Sequence, residues 1–179
     1  MRTLPEGCML IAVLAILFGS ILLDQVSKAI VVSHMALYEE IPFLPGFMRF
    51  YYTQNKGAAF SMLANHQWVF MVFSVLAMAV IAVLLVRYYR RHPLLAVSLS
   101  MILGGGIGNM IDRVLNGYVV DFLDFQFVKF AVFNVADIFV TCGSAALAVY
   151  LLVWEPRVEK RQQAQADGGG DDGNPSDPA

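Results

Sequence analysis

The chain has 179 residues, of which 58% are hydrophobic and 15% charged, and its mean hydropathy is +0.63; an ordinary soluble domain is about 45–50% apolar and about 25% charged. Its net charge of −2 is too small to argue for nucleic acid or an acidic partner. What remains is a membrane protein, provided the apolar residues fall into spans.

They do. Charge-free runs cover residues 9–23, 68–86, 93–111 and 138–154, with lengths of 15, 19, 19 and 17 residues, against the roughly 17–25 that a membrane helix needs. The first run is short. It continues through Asp24-Gln25-Val26-Ser27-Lys28 into more apolar residues, and Asp24 and Lys28 are four apart, so they share a helix face and can pair. The expected helices are therefore about 9–33, 68–86, 93–111 and 136–154, with outer loops at 34–67 and 112–135. Arg2 ahead of an apolar run resembles a signal peptide, but no small-x-small site follows Leu23, so an uncleaved first helix is expected.

The first outer loop is broken by Pro42, Pro45 and Gly46. Residues 47–53 are aromatic and read as a short strand. It leads into Asn55-Lys56-Gly57-Ala58-Ala59, a small-residue segment, and Trp68 opens the second span as an interfacial anchor. The turn at 87–92 holds Arg87, Arg90 and Arg91. With Arg2, Arg157, Lys160 and Arg161 these make seven of the twelve Lys and Arg, so the positive-inside rule puts both termini and this turn in the cytoplasm.

The third span ends in Gly104-Gly105-Gly106-Ile107-Gly108-Asn109-Met110-Ile111-Asp112-Arg113. This is neither a P-loop nor a dinucleotide fingerprint. Gly104 and Gly108 instead form a small-xxx-small pair that packs membrane helices. Asn109, Asp112 and Arg113 share a helix face, which packing alone does not require. The second outer loop suggests short strands from Tyr118 on and holds two carboxylates, Asp121 and Asp124, between which composition does not choose. Phe133-Asn134-Val135-Ala136-Asp137 then sets a carboxylate against the last span, where charge is costly. Residues 162–179 are Gly-, Asp- and Pro-rich and are expected to be a disordered tail. No internal repeat is visible. Cys8 and Cys142 fall at different depths, which argues against a disulfide, and read as small packing residues.

The expected topology puts Asn55, Asn109, Asp112, Arg113, Asp121, Asn134 and Asp137 on one side of the membrane. Three chemistries fit: a polar network that fixes helix packing, an ion or proton pathway as in a small ion-coupled transporter, or acid–base catalysis. In the last, one of two close carboxylates keeps a proton and the other activates water. The three His are scattered, and no His or Cys spacing suggests zinc.

Five blocks carry a resemblance: Asp24-Gln25-x-x-Lys28, Thr53-x-Asn55-x-Gly57-Ala58-Ala59-Phe60, Gly105-x-x-Gly108-Asn109-x-x-Asp112-Arg113, Val119-Val120-Asp121-Phe122 and Phe133-Asn134-x-Ala136-Asp137. In this order they resemble the signature blocks of bacterial lipoprotein signal peptidase (signal peptidase II). The resemblance implies four membrane helices with a small extracytoplasmic β-domain and an aspartic endopeptidase without metal or organic cofactor. The implied substrate is a diacylglyceryl-modified prolipoprotein, cut N-terminal to its lipidated Cys at the outer face of the cytoplasmic (inner) membrane by a monomer in contact with membrane lipid. Asp121 and Asp137 match the catalytic pair. Asn55, Gly105, Asn109, Asp112, Arg113 and Asn134 match positions that line or support the site, and Asp24 and Lys28 match structural ones.

Overall fold

A computed structural model of the chain describes residues 6–57 and 67–157; Ala58, Ala59, Phe60 and the expected tail lie outside them. Among these residues, four helices are long and apolar enough to cross a membrane: α1 (Glu6–His34), α2 (Gln67–Tyr88), α3 (Pro93–Asn116) and α4 (Val135–Val149), the last continued by a π-helical turn, Tyr150–Trp154. A three-stranded antiparallel sheet of β1 (Glu40–Leu44), β2 (Met48–Asn55) and β3 (Val119–Phe125) joins them, in the order β1-β2-β3. The chain is thus a membrane α-helical protein with a small β-domain.

Two features differ from the sequence reading. The third helix runs to Asn116, past the charges at Asp112 and Arg113, so both sit on α3 and not in an outer loop. It stops where Gly117, at φ +76°, adopts the left-handed conformation and donates its N–H to Arg113 O at 3.2 Å. At its other end His92 caps α3, accepting the Leu94 N–H at 3.1 Å, with Pro93 in the first turn. Strand β1 was hidden by Pro42 and by five exposed residues with no buried alternation, a pattern that Pro tolerates only at a sheet edge.

α3 is the centre of the bundle and packs against α1, α2 and α4. Its glycines permit this. A Cβ on Gly105 would stand 2.4 Å from Ala136 O and 2.9 Å from Val140 Cγ2, and one on Gly108 would stand 2.5 Å from Asp24 Oδ2. The expected small-xxx-small pair packs on α1: a Cβ on Gly104 would meet Ser20 Oγ and stand 2.9 Å from Leu17 O, while Gly108 faces the Asp24 side chain. Gly105→Val should lower the thermal unfolding midpoint in detergent and displace the start of α4, since overpacking costs about 1–3 kcal/mol. Gly19→Val, whose site is open, is the control that should change little.

Among the described residues two apolar cores result. One gathers Met9, Val13, Leu85, Leu95, Leu99, Leu103 and Tyr150; the other gathers Val31, Met35, Tyr52, Val120, Phe122 and Leu123 and fastens the sheet to α1. Between Val13 and Val31, α1 buries Ser20, Asp24 and Lys28, so a polar layer separates the two cores. The outward faces of the helices stay apolar, with Ile11, Phe18, Leu22, Phe73, Val83 and Val86 all exposed, as hydrocarbon surroundings demand.

Candidate active site

The polar layer is built on Lys28. Its ammonium lies 2.8 Å from Asp24 Oδ2 and 3.0 Å from Asp112 Oδ2, with all three side chains buried. Each carboxylate also holds a backbone N–H from another element. Asp24 Oδ1 accepts from Ala136 N at 2.9 Å, and Asp112 Oδ2 accepts from Val120 N at 3.0 Å. The next residues along the chain are Asp137 and Asp121. One lysine thus ties together the two backbone segments that carry the candidate pair. Gln25 joins the clasp by donating to Gly108 O, Asp112 Oδ1 and Asp24 Oδ2.

Asp137 occupies the first turn of α4 for a local reason. Asn134 is the N-cap: its side chain accepts the Asp137 N–H at 3.0 Å while Asp137 Oδ2 accepts the Asn134 N–H at 3.1 Å, a reciprocal capping box. With its oxygen so used, the Asn134 amide nitrogen points at Asp121 Oδ1 (2.7 Å), Asn109 Oδ1 (3.0 Å) and Val120 O (3.3 Å). Lys28 Nζ also donates to Asn109 Oδ1, at 3.0 Å. A lysine has no acceptor, so Asn109 must present oxygen to it and its NH2 to Asp137 Oδ1, at 2.8 Å. Asn55, brought opposite Val119 by a register shift in β2, donates to Asp121 Oδ2 at 3.0 Å.

The two carboxylates therefore differ. Asp137 receives an amide N–H and a backbone N–H at a helix N-terminus and is half open to a cleft. Asp121 is 2% exposed. Burial, helped by the nearby charge of Asp137, pushes its carboxyl up to about 7, against the pull of its bonds to Asn55 and Asn134.

Both Asp121 and Asp137 line a cleft of about 400 Å3 together with Asn55, Asn109 and Arg113. Phe125, Phe130, Phe133 and Ile138 form apolar walls. A smaller, mostly apolar cavity of about 250 Å3, between α2, α3 and α4, reaches Asn109, Arg113 and Asp137 from a second direction. A peptide carbonyl placed between such a pair would meet one group able to donate a proton and one able to accept it. Among the described residues, no three His, Cys, Asp or Glu side chains group so as to hold a metal ion.

Of the residues singled out from sequence, Asn55, Asn109, Arg113, Asp121 and Asp137 meet at the cleft, and Asn134 sits buried behind it. Asp112 does not. Its side chain turns toward α1, so the shared face with Asn109 and Arg113 divides between cleft and clasp. Asp124 pairs with Arg49 at 2.7 Å, away from Asp137. Gly105 lies beneath Ala136. The packing role read for the cysteines is corrected: both are exposed thiols, and Cys142 lines the cleft beside Thr141. Sequence reasoning gave Gln25 no role, although it stands inside the Asp24–Lys28 block.

Residues 16–153 match the family model for signal peptidase (SPase) II. A lipoprotein signal peptidase of Symbiobacterium thermophilum is 47% identical over 149 residues, which is 82% of this chain and 97% of that protein. One of Streptococcus pyogenes serotype M5 is 45% identical over 133 residues, covering 72% and 85% respectively. Two solved chains, described as bacterial membrane enzyme structures obtained by the in meso method at 2.3 and 1.9 Å resolution, superimpose with TM-scores of 0.69 and 0.68. Both are 30% identical and cover 79% of this chain, with 87% and 93% of their own lengths matched.

Proposed function

The chain belongs to the signal peptidase II family, and on that premise we propose that this multi-pass membrane peptidase removes the signal peptide from diacylglyceryl-modified prolipoproteins with Asp121 and Asp137 as its catalytic pair. The observation that carries the reading is the meeting of these two unlike carboxylates in one largely apolar cleft. Water held at Asp137 loses a proton to it and attacks the scissile carbonyl. Asp121 protonates the carbonyl oxygen, giving a tetrahedral diol. Asp137 then passes its proton to the leaving amine as the C–N bond breaks, and the collapsing diol returns a proton to Asp121. Asn55 and Asn134 hold Asp121, Asn109 holds Asp137, and Arg113 lines the cleft where an oxyanion would gain from a cation.

The enzyme sits as a monomer in the cytoplasmic membrane, with both termini and the Arg87–Arg91 turn inside and the sheet outside, by the balance of Lys and Arg. The substrate's lipid chains anchor its Cys at that outer surface.

The test is cleavage of a lipidated prolipoprotein by purified protein in detergent, where no ion gradient exists. Cleavage shows the peptidase; an inactive but folded protein sends the reading back to an ion-coupled transporter. The pH profile tests the roles. Because the Asp121 carboxyl is pushed up to about 7, the acid form is present below that pH and is lost as the pH rises through it. The rate should therefore fall on the alkaline side of about 7, and a rate still climbing at pH 9 excludes Asp121 as the acid.

A further inference from the structure

A second hollow, of about 560 Å3, opens beside the cleft and is lined by Arg49, Asp124, Gln126 and Lys129 with Phe125, Phe127, Val128 and Phe130. Phe125 and Phe130 line both spaces, so the two adjoin across a shared aromatic wall. Their chemistry changes at that wall. The cleft offers mostly carbon beyond its acid pair, whereas the hollow presents a guanidinium, a carboxylate, an amide and an ammonium. Arg49 is already paired with Asp124 at 2.7 Å and with Glu40. Gln126 accepts the Gly46 N–H with its side chain and donates its backbone N–H to Phe47 O, which holds the floor to the β1–β2 turn. Lys129 is exposed and, among the described residues, has no ion pair.

We propose that this trough binds the polypeptide on the C-terminal side of the scissile bond, the first few residues of the mature lipoprotein, with Lys129 biasing it toward acidic residues there. This rests on the proposed peptidase function. A chain whose lipidated Cys lies in an apolar cleft must turn polar within one or two residues, and the trough is where the wall of that cleft turns polar. Its two cations line it with one carboxylate, which already faces Arg49. With Glu40 also on Arg49, the charge left unpaired at the trough is the exposed Lys129 ammonium, and an acidic segment complements it.

The experiment compares kcat/KM for two lipidated substrates that differ only in carrying two Glu or two Lys immediately after the Cys, with wild type and Lys129→Glu. Wild type should favour the acidic substrate through KM. Lys129→Glu should cut the acidic-over-basic ratio about ten-fold, an effect that fades with added salt because exposed charges are screened. An unchanged ratio overturns the proposal. So does a parallel change for both substrates that follows the anionic lipid content of the vesicles, which would mark Lys129 as a headgroup contact. If wild type cleaves neither substrate, the peptidase reading itself has failed, and this inference falls with it.

Discussion

Asp137→Asn and Asp121→Asn are each expected to slow cleavage of a lipidated prolipoprotein by about 10²–10⁴-fold, the range that a lost general acid or base produces. The two variants should part company in stability, which separates the roles. Asp121 is buried with its carboxyl raised to about 7, so in the wild type its ionisation works against folding as the pH rises from the ordinary carboxylate range through 7. Asparagine removes that burden, and Asp121→Asn should gain on wild type in unfolding midpoint between pH 5 and pH 8. Asp137→Asn should show no such gain, because its carboxylate is one half of the capping box at the start of α4. Matching pH trends in the two variants would overturn the division of labour, and full activity in either would remove it from the pair.

Lys28→Met is expected to be the most damaging single change in α1. It leaves Asp24 and Asp112 buried with no cation, and breaking a buried pair by deleting one partner costs about 3–5 kcal/mol. The double variant Lys28→Met/Asp112→Asn should recover part of the loss, since one uncompensated charge is gone. Thermal unfolding in matched detergent checks both. A double variant less stable than the single one would mean that Asp112 acts through its bond to the Val120 N–H and not through charge.

The four spans are legible because hydrocarbon excludes charge so strongly that a charge-free run of helix length has few other meanings. The same rule misplaces helix ends. α3 continues to Asn116 because the charge of Asp112 turns inward to Lys28 and that of Arg113 turns to the cleft, an escape that no hydropathy count registers. Asp121 and Asp137 are 16 residues apart on different elements, so periodicity says nothing of their meeting. Only the motif resemblance distinguishes Asp121 from Asp124, whereas the structure separates them through the bond of Asp124 to Arg49. The clasp is the least legible part. Its bond from Ala136 to Asp24 spans 112 residues, and a backbone N–H leaves no trace in residue type. Strand β1 escapes for the opposite reason: it lies at an exposed edge, where composition is free.

That long-range bond has a consequence for how the protein is made. Helices enter a membrane in the order of synthesis, and α1 must arrive carrying Asp24 and Lys28, which satisfy each other within one helix. The remaining acceptor of Asp24 is met by Ala136, near the start of the last helix, and Asp112 finds its backbone partner in Val120, eight residues further on. A chain that ends between Val120 and residue 134 therefore has the partner of Asp112 but not that of Asp24, whose second oxygen stays unfinished on the first helix. Such a product exposes an acceptor inside its first helix that the completed chain conceals.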